Sequence, residues 1–213
     1  MSYKIGVVSQ KGGVGKSTLA RAIGTAYAAA EWNVKIADLD LNQSTSYTWL
    51  KRRLKAQYKP YVPVEVFGTV PQALNASSQY DLMVLDGAPH ASKATVEIGK
   101  AADLIIIPTG LSLDDMEPTV LLANNLRKEG VQADKISIAL CRIGDSQKEL
   151  DEAKEYLSET PYHVFPSIMP EKTAYRRASD AGLSATETPY KAPAKRADQL
   201  VQNIIDRLEE LTK

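Results

Sequence analysis

The chain is short of the features that would send a protein out of the cell or into a bilayer. It has one cysteine, Cys141, so it cannot close an internal disulfide, and a cytoplasmic setting is the simple inference. Cys141 lies in the apolar run from Ile136 to Ile143 and reads as a small buried residue. No apolar stretch reaches the roughly 18 residues that a spanning helix needs. The N-terminus enters Tyr3-Lys4-Ile5-Gly6-Val7-Val8 with no charged-then-apolar leader. The expectation is a chain neither exported nor membrane-spanning. Net charge is missing too: 26 Lys and Arg balance 26 Asp and Glu, so any contact with nucleic acid has to come from local clustering. There is no repeat, linker or low-complexity tract. With 213 residues and 44% hydrophobic content, one core and a single domain over 1–213 are expected.

What is present is a phosphate cradle near the start. In Val7-Val8-Ser9-Gln10-Lys11-Gly12-Gly13-Val14-Gly15-Lys16-Ser17-Thr18 an apolar run breaks into glycines and then into a helix-forming segment. Three glycines let the backbone turn its N–H groups inward around a polyphosphate, and a helix starting near Ser17 aims its positive dipole end at the same place. Lys16 supplies a mobile cation and Ser17 a hydroxyl for Mg²⁺. A flexible surface turn would not need so many matched positions. The ordinary P-loop formula is nevertheless broken at its first glycine, which falls on Gln10, and a second lysine, Lys11, stands beside it.

The stretch Lys11-Gly12-Gly13-Val14-Gly15-Lys16-Ser17 resembles the variant Walker A motif, Lys-Gly-Gly-x-x-Lys-Ser/Thr, of the ParA/MinD group of P-loop ATPases. It is closest to the small partition members that have no N-terminal DNA-binding domain. The resemblance implies a homodimer with two ATP molecules sandwiched between subunits, Lys11 reaching the partner's nucleotide. A cation supplied in trans stabilises phosphate charge only when two subunits meet, as an arginine finger does. ATP binding and dimerisation would then be one linked equilibrium.

Residues 3–9 read as a buried strand, and Leu19, Ile23, Tyr27 and Ala30 give the next segment a helical stripe. A second strand from Val34 to about Leu39 ends in Asp38-Leu39-Asp40-Leu41-Asn42-Gln43. Alternation places Asp38 and Asp40 on one side of an extended chain, at the carboxyl end of a strand where open α/β sheets bind ligands. The family has Asp-x-Asp-Pro-Gln here, which implies that Asp40 lies near the attacking water. This chain departs from that pattern at Leu41 and Asn42. A structural turn carboxylate is the other reading of either acid.

Ser44 to Pro60 reads as helical through Trp49, Leu50, Leu54 and Tyr58, with Lys51, Arg52, Arg53, Lys55 and Lys59 interleaved and no acid. It is either a solvated face or a phosphate-contacting one. A short strand at 62–66 and a short helix at 70–76 follow. Asp81 to Asp86 then makes an apolar strand closing on an acid, as a Walker B strand does, and Asp86 would hold Mg²⁺ opposite Ser17. His90, just beyond it, is a γ-phosphate sensor or an ordinary loop histidine. Residues 101–109 form another buried strand, resembling the family's run into a helix at the dimer interface. Asp114, Asp115 and Glu117 sit where that helix opens and complement its dipole better than they would make a metal site. Arg142, at the end of the strand 136–143, stands where the family carries residues near the adenine. His163, in a short proline-bounded edge strand, reads as packed rather than as a ligand.

Residues 170–196 hold Lys172, Arg176, Arg177, Lys191, Lys195 and Arg196 against Glu171, Asp180 and Glu187. The family's sequence-blind DNA contacts fall in this region, which marks Arg176 and Arg177, then Lys195 and Arg196; solubility and salt bridges are the other reading. The last helix, from Ala197, has an apolar stripe under an acidic polar face, so packing on the domain fits better than a membrane tail.

Together these features specify an α/β P-loop domain, a mostly parallel twisted sheet of about seven strands flanked by helices, that hydrolyses ATP with Mg²⁺. The roles the resemblance assigns are β- and γ-phosphate contact for Lys16, α-phosphate for Thr18, Mg²⁺ for Ser17 and Asp86, the water for Asp40, and the partner's phosphates for Lys11. It further implies partition of a low-copy DNA, with nucleoid-associated dimers released by a ParB-like centromere-binding adaptor. Another cargo, a protein organelle or a conjugation complex, is the alternative. A nitrogenase-type reductase would need two cysteines per subunit, and a small-molecule ligase or kinase on the same fold would have no use for Lys11.

Overall fold

In the computed structural model, which describes residues 2–89 and 93–213, every strand pairing is parallel. The order is β3 (Val64–Val66), β2 (Val34–Asp38), β4 (Leu82–Pro89), β1 (Tyr3–Ser9), β5 (Leu104–Thr109), β6 (Ile136–Ile143) and β7 (His163–Val164), with β8 (Met169–Pro170) pairing the far end of β6. The described residues thus hold one strand more than the sequence suggests. β8 is two residues long and leaves almost no pattern to read.

The strands are near-continuous apolar runs because both faces are covered. Ile5 and Val7 of β1 join one core layer with α1 (Lys16–Ala29), α2 (Thr45–Lys55) and α8 (Lys191–Thr212). Val8, Met83, Leu85 and Ile105 face the other layer, under α3 (Val70–Ser77), α4 (Lys93–Ala101), α5 (Leu113–Lys128) and α6 (Gln147–Ser158). β1 lies between β4 and β5; its own connection runs to β2 on one side while that of β4 runs to β5 on the other, which opens a crevice at the carboxyl ends of the two strands.

Two segments differ from expectation. α8 begins six residues before Ala197, since Pro193 is tolerated in a first turn and Lys191 to Arg196 carry no apolar signal. Its stripe Leu200, Val201, Ile204 and Leu208 is buried with α1, as expected of a packing helix. No described helix is long and apolar enough to cross a membrane. In α2, by contrast, Arg53 is not a surface cation: its side chain is 1% exposed, and it donates to both carboxylate oxygens of Glu187 at 2.7 and 2.8 Å. Leu54, expected inside, is 52% exposed. The partner that buries Arg53 comes from the turn after α7 (Thr173–Ala181). Gly182 there has φ 87°, and a Cβ on it would lie 2.5 Å from the Arg53 backbone nitrogen.

Candidate nucleotide site

Loop 9–15 occupies the crevice. Gly15, at φ 109°, turns the chain into α1, whose first bond runs from the Leu19 N–H to the Gly15 carbonyl at 2.9 Å. The Lys11 N–H donates to Ser9 Oγ at 3.1 Å, and Lys16 Nζ curls back to the Lys11 carbonyl at 3.0 Å. Burial pulls the Lys16 ammonium below its usual range, opposed by the carboxylates of Asp86 and Asp40. A cavity of about 220 Å³ lies over the loop, lined by Gly12, Gly13, Gly15, Lys16, Ser17, Thr18, Arg21, Asp40, Gln43 and Thr45 with Gly87 and Pro89. Residues from three strand ends and the first turn of α1 converge there, as the sequence indicates. Val14, although within the loop, is buried and does not line this cavity.

The two acids of 38–40 part company. β2 ends at Asp38, so strand alternation does not extend to Asp40. Asp38 is fully buried and accepts the N–H groups of Asp40, Ser46 and Tyr47 at 3.2, 3.0 and 3.1 Å, which satisfies the first turn of α2. Burial raises its carboxyl, and those three bonds work against the shift. Asp38 is the structural carboxylate of the pair. Asp40 instead faces the cavity, its Oδ1 accepting the N–H groups of Asn42 and Gln43 at 3.1 Å each.

Asp86 is 2% exposed. Burial pushes its carboxyl up to about 6, against the Ser46 hydroxyl that donates to Oδ2 at 2.7 Å. Its Oδ1 has no hydrogen-bond partner among the described residues. A buried carboxylate oxygen without a partner, on a carboxyl that lies near the Ser17 hydroxyl, suits a hard cation that takes oxygen ligands; Ser17 in turn accepts the Thr45 hydroxyl at 2.9 Å. Ser17 and Asp86 would hold Mg²⁺, which neutralises charge developing on the phosphates. Arg21 joins the same network unannounced by any motif. Its Nε donates to Ser46 Oγ at 3.2 Å and its Nη1 to Ser179 Oγ at 2.9 Å, and burial lowers its guanidinium to about 10. The one signal in the sequence is its place four residues after Ser17, one turn along the same helix face.

A second cavity of about 390 Å³ shares Gly13, Gly15 and Thr18 with the first and runs to Met169, Lys172, Tyr175 and Arg176, a size that suits a nucleoside. Cys141 lines it from below, with its thiol pushed up to about 12 by burial, so it is inert there. Arg142 stands at its mouth in the left-handed region, at φ 58°. That backbone turns its guanidinium over the loop, where Nη1 donates to the Gly13 carbonyl and Nε to Glu171, both at 2.7 Å. Arg176 pairs with the other oxygen of Glu171 and so belongs to this cavity wall. Arg177, Lys195 and Arg196 are exposed. His163 is half-buried and meets Phe165 edge-on at 5.1 Å, and no group of three or more metal-type ligands occurs among the described residues. His90 lies outside the described residues.

Lys11 is absent from the lining of its own phosphate cavity. Its Nζ pairs with Asp115 Oδ1 at 2.8 Å, while Ser112 Oγ donates to Oδ2 at 2.9 Å. Burial would raise the Asp115 carboxyl, but the Lys11 and Ser112 bonds outweigh it and hold it below the usual range. Asp115 does sit in the first turn of α5, where it complements the helix dipole as expected; its hold on a lysine 104 residues away could not be read from the sequence.

With this geometry in place, the comparison with known proteins is decisive. A profile described as the CobQ/CobB/MinD/ParA nucleotide binding domain matches residues 5–185. The chain belongs to this family. Like its members, this CobQ/CobB/MinD/ParA chain is an ATPase. Among curated relatives, the maintenance of carboxysome distribution protein A of Gloeobacter kilaueensis is 28% identical over 207 residues, covering 96% of this chain and 93% of that protein. The cell division ATPase MinD of Pyrococcus furiosus superimposes with a TM-score of 0.77 at 19% identity, covering 97% of this chain and 99% of that one. A ParA family ATPase of Chlorobium tepidum TLS gives 0.65 at 18% identity, covering 98% and 99%. The last two establish the fold.

Proposed function

We propose that this ATPase is a nucleotide-switched positioning protein: ATP closes two copies over two nucleotides, the dimer grips DNA without reading its sequence, and a partner bound to the cargo triggers hydrolysis. The observation that carries this is Lys11. A second lysine in the loop, absent from the lining of its own phosphate cavity and paired with Asp115 instead, has no part at the phosphates in a monomer and would gain one in a dimer. Within each site Lys16 leaves the Lys11 carbonyl for the β- and γ-phosphates, and Thr18 takes the α-phosphate. Asp40 orients the water that attacks the γ-phosphorus. The bond to the β–γ bridging oxygen then breaks, giving ADP and phosphate.

The cargo in this reading is a DNA locus, held by a ParB-like centromere-binding adaptor, with the ATP dimer cytoplasmic and associated with the nucleoid. The carboxysome-distribution relative favours a second reading, in which the same cycle moves a protein body. ATPase rate and DNA binding, each with and without ATP, test the switch in the intact chain and in Lys11→Ala. The intact chain should bind DNA only with ATP, and the variant should lose that binding. Equal binding by both without nucleotide would refute the switch. A small DNA-binding protein encoded beside this chain would separate DNA cargo from protein cargo.

A further inference from the structure

Helix α2 leaves the nucleotide site with two unlike faces. Trp49, Leu50 and Arg53 point inward and are buried. Tyr47, Lys51 and Lys55 lie outward, with the Lys51 ammonium 4.7 Å from the centre of the Tyr47 ring, and Tyr58, Lys59 and Tyr61 continue the exposed strip past the helix end. No acidic residue occurs between Leu41 and Val64. At 1.5 Å per residue, Lys51 and Lys55 stand about 9 and 15 Å along the axis from Thr45, which lines the phosphate cavity. The cations are therefore beside the nucleotide face and outside it.

We infer that this strip of α2 is the principal contact of the ATP-bound protein with a nucleic-acid backbone, ahead of the C-terminal cluster. The inference rests on the reading that the protein grips DNA and says where. Two of the C-terminal cations are already neutralised by their own chain, Lys172 by Asp145 and Arg176 by Glu171. The others among the described residues, Arg177, Lys191, Lys195 and Arg196, form no salt bridge but share their stretch with Asp180 and Asp198, whereas the α2 strip has no acid. Among the described residues, Lys51, Lys55 and Lys59 form no salt bridge with any carboxylate. Cations spaced one helical turn apart and interleaved with tyrosines offer charge to phosphates and phenol groups to phosphate oxygens, which gives a salt-sensitive grip blind to sequence. An anionic membrane fits less well, because a helix that lies on lipid inserts its apolar face and that of α2 is spent on the core. The first turn of α2 also carries Ser46, which bonds Asp86, so the strip is anchored on groups that meet the nucleotide.

The test is fluorescence anisotropy with a mixed-sequence 24-base-pair duplex, in ATP and Mg²⁺ between 50 and 200 mM salt, all proteins carrying Asp40→Ala to retain ATP. Lys51→Glu with Lys55→Glu should weaken binding at least tenfold and flatten the slope of log affinity against log salt by about two, each lost phosphate contact removing about 0.9. Lys195→Glu with Arg196→Glu should stay within threefold of the parent. Both pairs are exposed, so unchanged melting temperatures check the fold. Parent-like binding by the α2 variant, or a larger loss in the C-terminal one, overturns the inference and leaves the DNA reading standing. Failure of the parent to bind duplex in any nucleotide state overturns both, and capture by phosphatidylglycerol vesicles in place of duplex would name a membrane instead.

Discussion

Replacing Asp115 by Asn should tighten the ATP-dependent dimer. In the structure Lys11 is held at 2.8 Å from Asp115, and in the proposed dimer that pair would have to open before the lysine could serve a neighbour. The two side chains are 38% and 29% exposed, so the pair ranks with solvent-screened bridges and is worth about 0.5–1 kcal/mol. Two such pairs open per dimer, or about 1–2 kcal/mol, which corresponds to roughly a 5- to 30-fold lower dissociation constant in the variant. Asn keeps an acceptor for the Ser112 hydroxyl while removing the charge, so the first turn of α5 is preserved. Sedimentation velocity across a concentration series in ATP and Mg²⁺, with Asp40→Ala in both proteins, reads the constant directly. The gap between parent and variant should narrow as salt rises, since the pair is screened. An unchanged or weaker dimer in Asp115→Asn would refute the reasoning, because it would mean that Asp115 supports the closed state.

Three further outcomes follow from the site and its supports. Asp86 carries a carboxyl raised from 3.8 to about 6, so the folded protein without nucleotide holds that proton more tightly than the unfolded chain and loses stability as pH rises from about 4 to 6. Asp86→Asn should therefore be the more stable protein by about 1–3 kcal/mol at pH 7.5 and no more stable near pH 4, as judged by urea unfolding. Glu187→Gln strands the buried Arg53 guanidinium and should cost about 3 kcal/mol, a fall in melting temperature of about 6–12 °C. Asp40→Ala should slow turnover about 10²- to 10⁴-fold while a fluorescent ATP analogue still binds, and a variant that fails to bind would move Asp40 into substrate binding.

The frame of the fold was legible because parallel strands buried on both faces are unbroken apolar runs, and β6 could be bounded to the residue from Ile136 to Ile143. α7 was not: of its nine residues only Tyr175 and Ala178 are buried, too few to set a period. The phosphate loop was legible because its chemistry is local: Gly12, Gly13, Gly15, Lys16, Ser17 and Thr18 are near neighbours in sequence and line one cavity. The rest of the site is assembled across long separations. Ser46 meets Asp86 across 40 residues, Arg53 meets Glu187 across 134, and Arg142 meets Gly13 across 129. Spacing said nothing of these, which is why Arg53 looked like surface charge and Arg176 like a free cation. Asp38 and Asp40 could be divided into support and site once the end of β2 was known.

The central claim is that two copies close over nucleotide, and molar mass by light scattering in saturating ATP and Mg²⁺ tests it most directly. The account predicts a species of twice 23.3 kDa for the Asp40→Ala protein with ATP, a single copy without it, and a single copy for Lys11→Ala in either condition. A particle that stays at 23.3 kDa with ATP bound would contradict it.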